Sequence, residues 1–188
     1  MMELCVRNLS KSYDGRAVLE NVSFTAPVGL TRVSGSSGIG KTTLLRILLV
    51  LERADGGEVA PKSLRWAAVF QEDRLLEGLD AAGNLRFALG EAYDASRAKA
   101  LLEALGLGDV GEKRARDYSG GMKRRLALAR ALLAPCDALT LDEPFTGLDR
   151  ASREAALGAV LHAAEEKIVL LAAHEELDLP ARCGEIML

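Results

Sequence analysis

The segment Gly35-Ser36-Ser37-Gly38-Ile39-Gly40-Lys41-Thr42-Thr43 constrains this chain more than any other. It fits the pattern G-x-x-x-x-G-K-[ST], in which glycines let the backbone turn so that successive N–H groups point at one anion. The apolar run Leu30–Ser34 reads as a short strand before it, and Lys41–Leu51 carries leucines and isoleucine at helical spacing after it. A helix that starts there presents the positive end of its dipole to the same anion. The expected ligand is a nucleoside triphosphate, with Lys41 bridging the β- and γ-phosphates and Thr42 offering its hydroxyl to Mg2+.

A second segment, Ala138-Leu139-Thr140-Leu141-Asp142-Glu143-Pro144, complements the loop. An apolar strand delivers Asp142 at its carboxyl end, where ligands sit in parallel sheets. Asp142 is expected to hold the metal, directly or through water. Glu143, one residue on, is expected to polarise an attacking water. Alone, the same residues describe a strand followed by an acidic helix cap; beside the glycine loop they describe a hydrolytic site.

The remaining pattern supplies the architecture. Leu4, Val6 and Leu9 alternate, a turn falls at Asp14-Gly15, and Val18–Ala26 continues the alternation to Pro27-Val28-Gly29, so the opening is an antiparallel β layer. Asp55-Gly56-Gly57 ends the first helix, and strands follow at Glu58–Pro61 and Trp66–Phe70. Asp80–Leu107 reads as helical, then a helix at about Gly121–Ala134, a strand at Ala138–Leu141, a helix at about Arg150–Ala164, a strand at Ile168–Ala172 and a tail. The expected fold is one α/β domain over residues 1–188, a P-loop NTPase with a mostly parallel core sheet. The N-terminal antiparallel layer precedes it, and a helical subdomain is inserted at about 72–118.

Composition removes other classes. With 188 residues, 49% of them hydrophobic and 27% charged, the chain is an ordinary globular domain. Twenty-four basic against 27 acidic residues give a net charge of −3, which argues against a nucleic-acid partner. Four Phe, three Tyr and one Trp are too few for a base-stacking platform. No apolar window is long enough to span a membrane and the N-terminus has no signal core, so a cytoplasmic chain is expected. Cys5, Cys136 and Cys183 form no C-x-x-C pair and read as small buried residues of a reducing compartment.

Tyr118-Ser119-Gly120-Gly121-Met122, followed by Lys123-Arg124-Arg125-Leu126-Ala127-Leu128-Ala129-Arg130-Ala131-Leu132, resembles the signature of the ABC (ATP-binding cassette) ATPases. Gln71 resembles that family's Q-loop, Gly147-Leu148-Asp149 its D-loop, His174 its switch histidine and Tyr13 its adenine-stacking aromatic. Tyr118 and Met122 depart from the usual Leu and Gln. The resemblance implies that Lys41, Gln71, Glu143 and His174 act in catalysis, with Thr42, Gln71 and Asp142 at the metal. It implies that Tyr13, the loop 35–43, Ser119, Gly120, Gly121 and Asp149 bind ATP. Ser119-Gly120-Gly121 then forms a second anion cradle facing the ATP of another subunit in a head-to-tail homodimer or heterodimer.

Having no span of its own, such a chain would sit on the cytoplasmic face of the membrane with separate transmembrane permease subunits. A substrate-binding protein would join them in an importer. Gln71–Leu76 with Asn84-Leu85 looks like importers of the nitrate, sulfonate and taurine type. Two other readings stay open: a soluble ABC-type ATPase of a cytosolic assembly system, such as iron–sulfur cluster assembly, and a P-loop small-molecule kinase. The family is usually longer at its C-terminus, so no regulatory domain is expected after His174. Blander readings also stand: Tyr13 as a packing residue of the β layer, His174 as a core histidine, and Lys123-Arg124-Arg125 as a solvated helix face set against the helix dipole.

Overall fold

Alternation places Leu4, Val6 and Leu9 on the inner face of β1 (Glu3–Tyr13) in the computed structural model, which describes residues 2–173 and 177–188. Asp14 and Gly15 both take positive φ, 50° and 77°, the turn geometry that matches strand twist. The chain therefore returns directly as β2 (Arg16–Pro27), antiparallel to β1. On the other side β1 pairs antiparallel with β4 (Gly56–Ala60), giving the order β2-β1-β4.

The second sheet has the order β5-β6-β7-β3-β8. Its strands are β3 (Gly29–Ser34), β5 (Trp66–Val69), β6 (Ala138–Asp142), β7 (Ile168–Ala172) and β8 (Gly184–Met187). The pairs β6–β7, β7–β3 and β3–β8 are parallel. Every residue of β6 and β7 is buried, as central parallel strands covered on both faces must be. This is the α/β fold expected, with a parallel core sheet and an N-terminal antiparallel layer.

Two elements differ from the sequence reading. The segment after β7 is more than a tail, since β8 adds an edge strand beside β3; only Ile186 of its four residues is buried, so it carries no apolar pattern to read. The helical stretch Asp80–Leu107 is two helices, α2 (Ala81–Leu89) and α3 (Ala95–Ala104), separated by a 3-10 turn at Gly90–Ala92. Gly90 at φ 54° stops the first, and the Asp94 side chain accepts from Arg97 N–H at 2.9 Å to start the second. The cysteines differ as well: Cys136 is buried, whereas Cys5 and Cys183 are half-buried.

The chain forms two compact units. The first comprises the described residues within Met1–Ala68, Cys136–Asp142 and Ala164–Leu188. Its core gathers Leu4, Val33, Leu44, Leu48, Ile168 and Leu170, uniting β1, β3 and β7 with α1 (Lys41–Leu48). The second unit comprises Val69–Pro135 and Glu143–Ala163. There α4 (Gly120–Leu133) packs against α2, α3 and α5 (Arg150–Ala163), burying Leu126 and Leu128 completely. The 2%-exposed Asn84 accepts from Leu76 N–H and donates to the carbonyls of Leu76, Leu79 and Asp80, which fixes the approach to α2.

Candidate functional site

In the first unit the chain leaves β3 through the glycine loop and enters α1. Gly35 and Gly40 have φ of 146° and 119°. A Cβ on Gly40 would stand 2.8 Å from Leu19 Cδ2 and 2.9 Å from Val18 O, so both conformation and space require glycine there. Lys41 is 7% exposed and folds over the loop, its Nζ donating to the carbonyls of Gly35 at 2.7 Å and Ser36 at 3.0 Å. These neutral partners hold the ammonium at the loop without cancelling its charge. Ser36, Ser37, Gly38 and Ile39 are exposed along the loop, and Thr43 is half-buried in α1.

The start of α1 differs from that of every other α-helix. Asp80, Asp94 and Ser119 cap α2, α3 and α4 with their side chains, and the Asp149 carboxylate accepts from Ser152 N–H at the start of α5. Helix α1 begins on left-handed Gly40 with no side-chain cap, which leaves first-turn donors for an external anion. Beside it, Thr42 Oγ1 donates to Asp142 Oδ2 at 2.8 Å, bringing together residues 100 apart in sequence. Asp142 is 6% exposed at the end of β6. A hydroxyl and a carboxylate make an oxygen donor set that suits Mg2+, which keeps waters and takes substrate phosphates as its other ligands. Among the described residues no group of three or more His, Cys, Asp or Glu forms a protein-only metal cage.

Tyr13 ends β1 with 41% exposure, and Lys11 Nζ lies 5.0 Å from its ring centroid. Lys11 is in turn paired with Glu52 at 3.2 Å and Asp55 at 3.4 Å. The ring is thus partly exposed at the end of the strand, with Lys11 beside it.

The second unit holds Gln71, Ser119, Gly120, Gly121, Glu143 and Asp149. Ser119 Oγ accepts from Met122 N–H at 3.3 Å, which leaves its own O–H free to donate outward. Ser119 and Gly120 are exposed, and a Cβ on Gly121 would meet Gly147 O and Leu148 Cδ2 at 3.5 Å each, so the signature turn lies against Gly147-Leu148-Asp149. The Asp149 carboxylate is held below its ordinary range, first by Ser152 N–H and then by the Ser152 hydroxyl. Glu143 takes a left-handed φ of 53°, unusual for a residue with a side chain, and its Oε2 accepts from Thr146 Oγ1 at 3.3 Å. Gln71 is exposed. His174, with Glu175 and Glu176, lies outside the described residues.

The basic run at the start of α4 is not a solvated face. Arg124 is 7% exposed and donates to the carbonyls of Phe70 and Gln71, both at 2.6 Å. Arg125 donates to the carbonyls of Leu105 and Gly106, Lys123 pairs with Glu77, and Arg130 donates to the carbonyls of Asp73 and Arg74. Positive charge at a helix start opposes the dipole, and it is accommodated here because carbonyl oxygens surround it. Burial pushes the Asp73 carboxyl up, against the pull of Arg124, Lys123 and Arg130, and burial also pushes Arg130 down. The sequence clue that Lys123, Arg124 and Arg125 have partners was their charge placed against the dipole; Arg130, in the last turn, gave no such clue.

A strand, a glycine loop closing on Lys41, and a Thr42–Asp142 contact at the end of a parallel strand define a P-loop NTPase. The ABC transporter family profile matches residues 19–146. Aliphatic sulfonates import ATP-binding protein SsuB 1 of Rhizobium johnstonii is 37% identical over 213 residues, covering 94% of this chain and 76% of that protein. Cytochrome c biogenesis ATP-binding export protein CcmA of Cereibacter sphaeroides is 39% identical over 183 residues, covering 95% and 85%. A solved structure from Pyrococcus furiosus, described as an ABC transporter ATP-binding protein, superposes with a TM-score of 0.87 at 25% identity over 99% of this chain and 97% of that one. The chain belongs to the ABC transporter family and is an ATP-binding ATPase of that family.

Proposed function

We propose that this chain is the ATP-hydrolysing subunit of a transporter whose membrane-spanning subunits are separate chains. The observation that carries the reading is the cradle at α1: an uncapped helix start, a buried lysine folded onto the loop, and a hydroxyl–carboxylate pair beside it. The loop amides and Lys41 bind the β- and γ-phosphates of ATP, and Tyr13 offers its exposed ring to adenine. Thr42 and Asp142 would hold Mg2+, which would supply charge neutralisation for the phosphates. Glu143 accepts a proton from water as that water attacks the γ-phosphorus, with Gln71, Asp149 and His174 orienting the reactants. The bond from the γ-phosphorus to the bridging oxygen breaks, and ADP and inorganic phosphate leave.

Ser119, Gly120 and Gly121 form a second anion-binding turn, with exposed donors at a helix start. The first unit already has its phosphate cradle, so the second turn serves the ATP of another subunit in a head-to-tail dimer. Phosphate release removes the charge holding the two chains and lets them part. No helix among the described residues is long and apolar enough to cross a membrane. In this reading the permease subunits attach the chain to the cytoplasmic face.

Relatives named for aliphatic sulfonate import favour a small anionic cargo and a substrate-binding protein on the far side of the membrane. The export protein, at similar identity and larger coverage, favours an exporter as the second reading. Glu143→Gln retains ATP binding and removes the base, so it should accumulate a stable ATP-bound dimer while hydrolysis falls about 100- to 10,000-fold. Light scattering after gel filtration reads the dimer and phosphate release reads the rate; undiminished hydrolysis would remove Glu143 from the mechanism.

A further inference from the structure

The segment that follows β5 has no regular structure from Phe70 to Asp80, apart from a turn, yet two guanidinium forks hold it. Arg124 reaches the carbonyls of Phe70 and Gln71, and Arg130 those of Asp73 and Arg74. The Asp73 carboxylate lies 3.1 Å from Arg124 Nη1, so four of the five consecutive carbonyls of Phe70–Arg74 and one of its two acidic side chains are bound to α4. A little further on, Ala115 N–H donates to Leu79 O and Arg116 N–H to Glu77 O, just before Ser119. The segment is thus attached to α4 through side chains and to the entry of α4 through backbone.

We propose that Arg124 and Arg130 are positioning residues that fix Phe70–Arg74 to α4, so that Gln71 and Ser119 move as parts of one rigid piece. Neither arginine is assigned contact with nucleotide. Their effect is mechanical: a fork that satisfies two carbonyls fixes both distance and direction of the strand it holds, whereas a point charge fixes neither. A displacement of the Gln71 stretch then reaches the Ser119 turn without loss, and a displacement of the turn reaches Gln71. The turnover consequence rests on the ATPase reading above, and the structural consequence does not.

The test uses the full chain with Arg124→Lys and, separately, Arg130→Lys, both of which keep the charge and remove the fork. Amide hydrogen exchange should speed up together in residues 70–76 and in 119–123, by about tenfold or more, with the circular dichroism spectrum unchanged. Turnover should fall about 10- to 100-fold with KM for ATP within about twofold, because positioning is lost and binding is not. Faster exchange confined to residues 70–76, or unchanged exchange, overturns the proposal. So does a KM that rises in step with the fall in kcat, which marks general structural damage. If Arg124→Lys fails to fold, Arg130→Lys, whose residue is only half-buried, decides alone. If the wild-type chain shows no hydrolysis, the ATPase reading fails while the exchange result still decides the proposal.

Discussion

At the scale of single residues, several side-chain contacts in this chain join positions no local pattern connects. Arg65 donates from its backbone N–H and Nε to Asp137 Oδ2, at 2.9 and 3.0 Å, and from Nη2 to Oδ1 at 2.8 Å. The side-chain and backbone donors of Arg65 hold the Asp137 carboxyl down at about 2, against an ordinary 3.8. A carboxyl depressed in the folded state adds stability above its unfolded value and loses it as pH falls through the folded value. Arg65→Gln should therefore return Asp137 toward 3.8 by carbon-13 NMR. Its urea midpoint deficit relative to the native chain should close as pH falls from about 4 to about 2. A deficit that does not shrink between about pH 4 and about pH 2 would show that Arg65 contributes by packing instead. That the glycine loop, Lys41, Thr42 and Asp142 lie together was legible in the sequence, because the P-loop pattern fixes residue types and spacing. The partners of Arg65, Arg124 and Arg130 were not, because carbonyl acceptors carry no residue identity.

At the scale of elements, the central strands and the first helix announced themselves by continuous apolar runs and helical spacing. The places that escaped were those where capping outweighs periodicity. Apolar positions recur through Asp80–Leu107 at near-helical intervals, yet Gly90 and the Asp94 cap divide the stretch into α2 and α3. Asp94→Ala removes the acceptor of Arg97 N–H and should destabilise the chain by about 1 kcal/mol. Urea denaturation with an unchanged m-value is the measurement, and Asp94→Asn, which keeps the cap, should recover most of the loss. Strand β8 escaped for a different reason: an edge strand with one buried residue needs only the neighbouring β3 to define it.

At the scale of the whole molecule, ligand binding should appear as stability. ATP that binds only the folded chain raises its unfolding free energy by about 2.7 kcal/mol at a hundredfold excess over Kd. ATP with Mg2+ should therefore raise the melting temperature, and Lys41→Ala, which strips the ammonium from the cradle, should abolish most of that rise. Differential scanning fluorimetry across an ATP titration reads both, and an equal rise in the Lys41 variant would move the nucleotide away from Gly35–Thr42. The fold class and the family were readable across the chain because several motifs occur in a fixed order; an inserted helical subdomain was read at about 72–118, whereas the membership of 143–163 in the second unit is a property of contacts. Chain passages between the units fall at Ala68/Val69, Pro135/Cys136, Asp142/Glu143 and Ala163/Ala164. A gene encoding such an arrangement cannot trade either half by a simple crossover: recombination would have to rejoin at all four points, one of them between the two adjacent acids. The two units are thus bound together in one reading frame of interleaved segments.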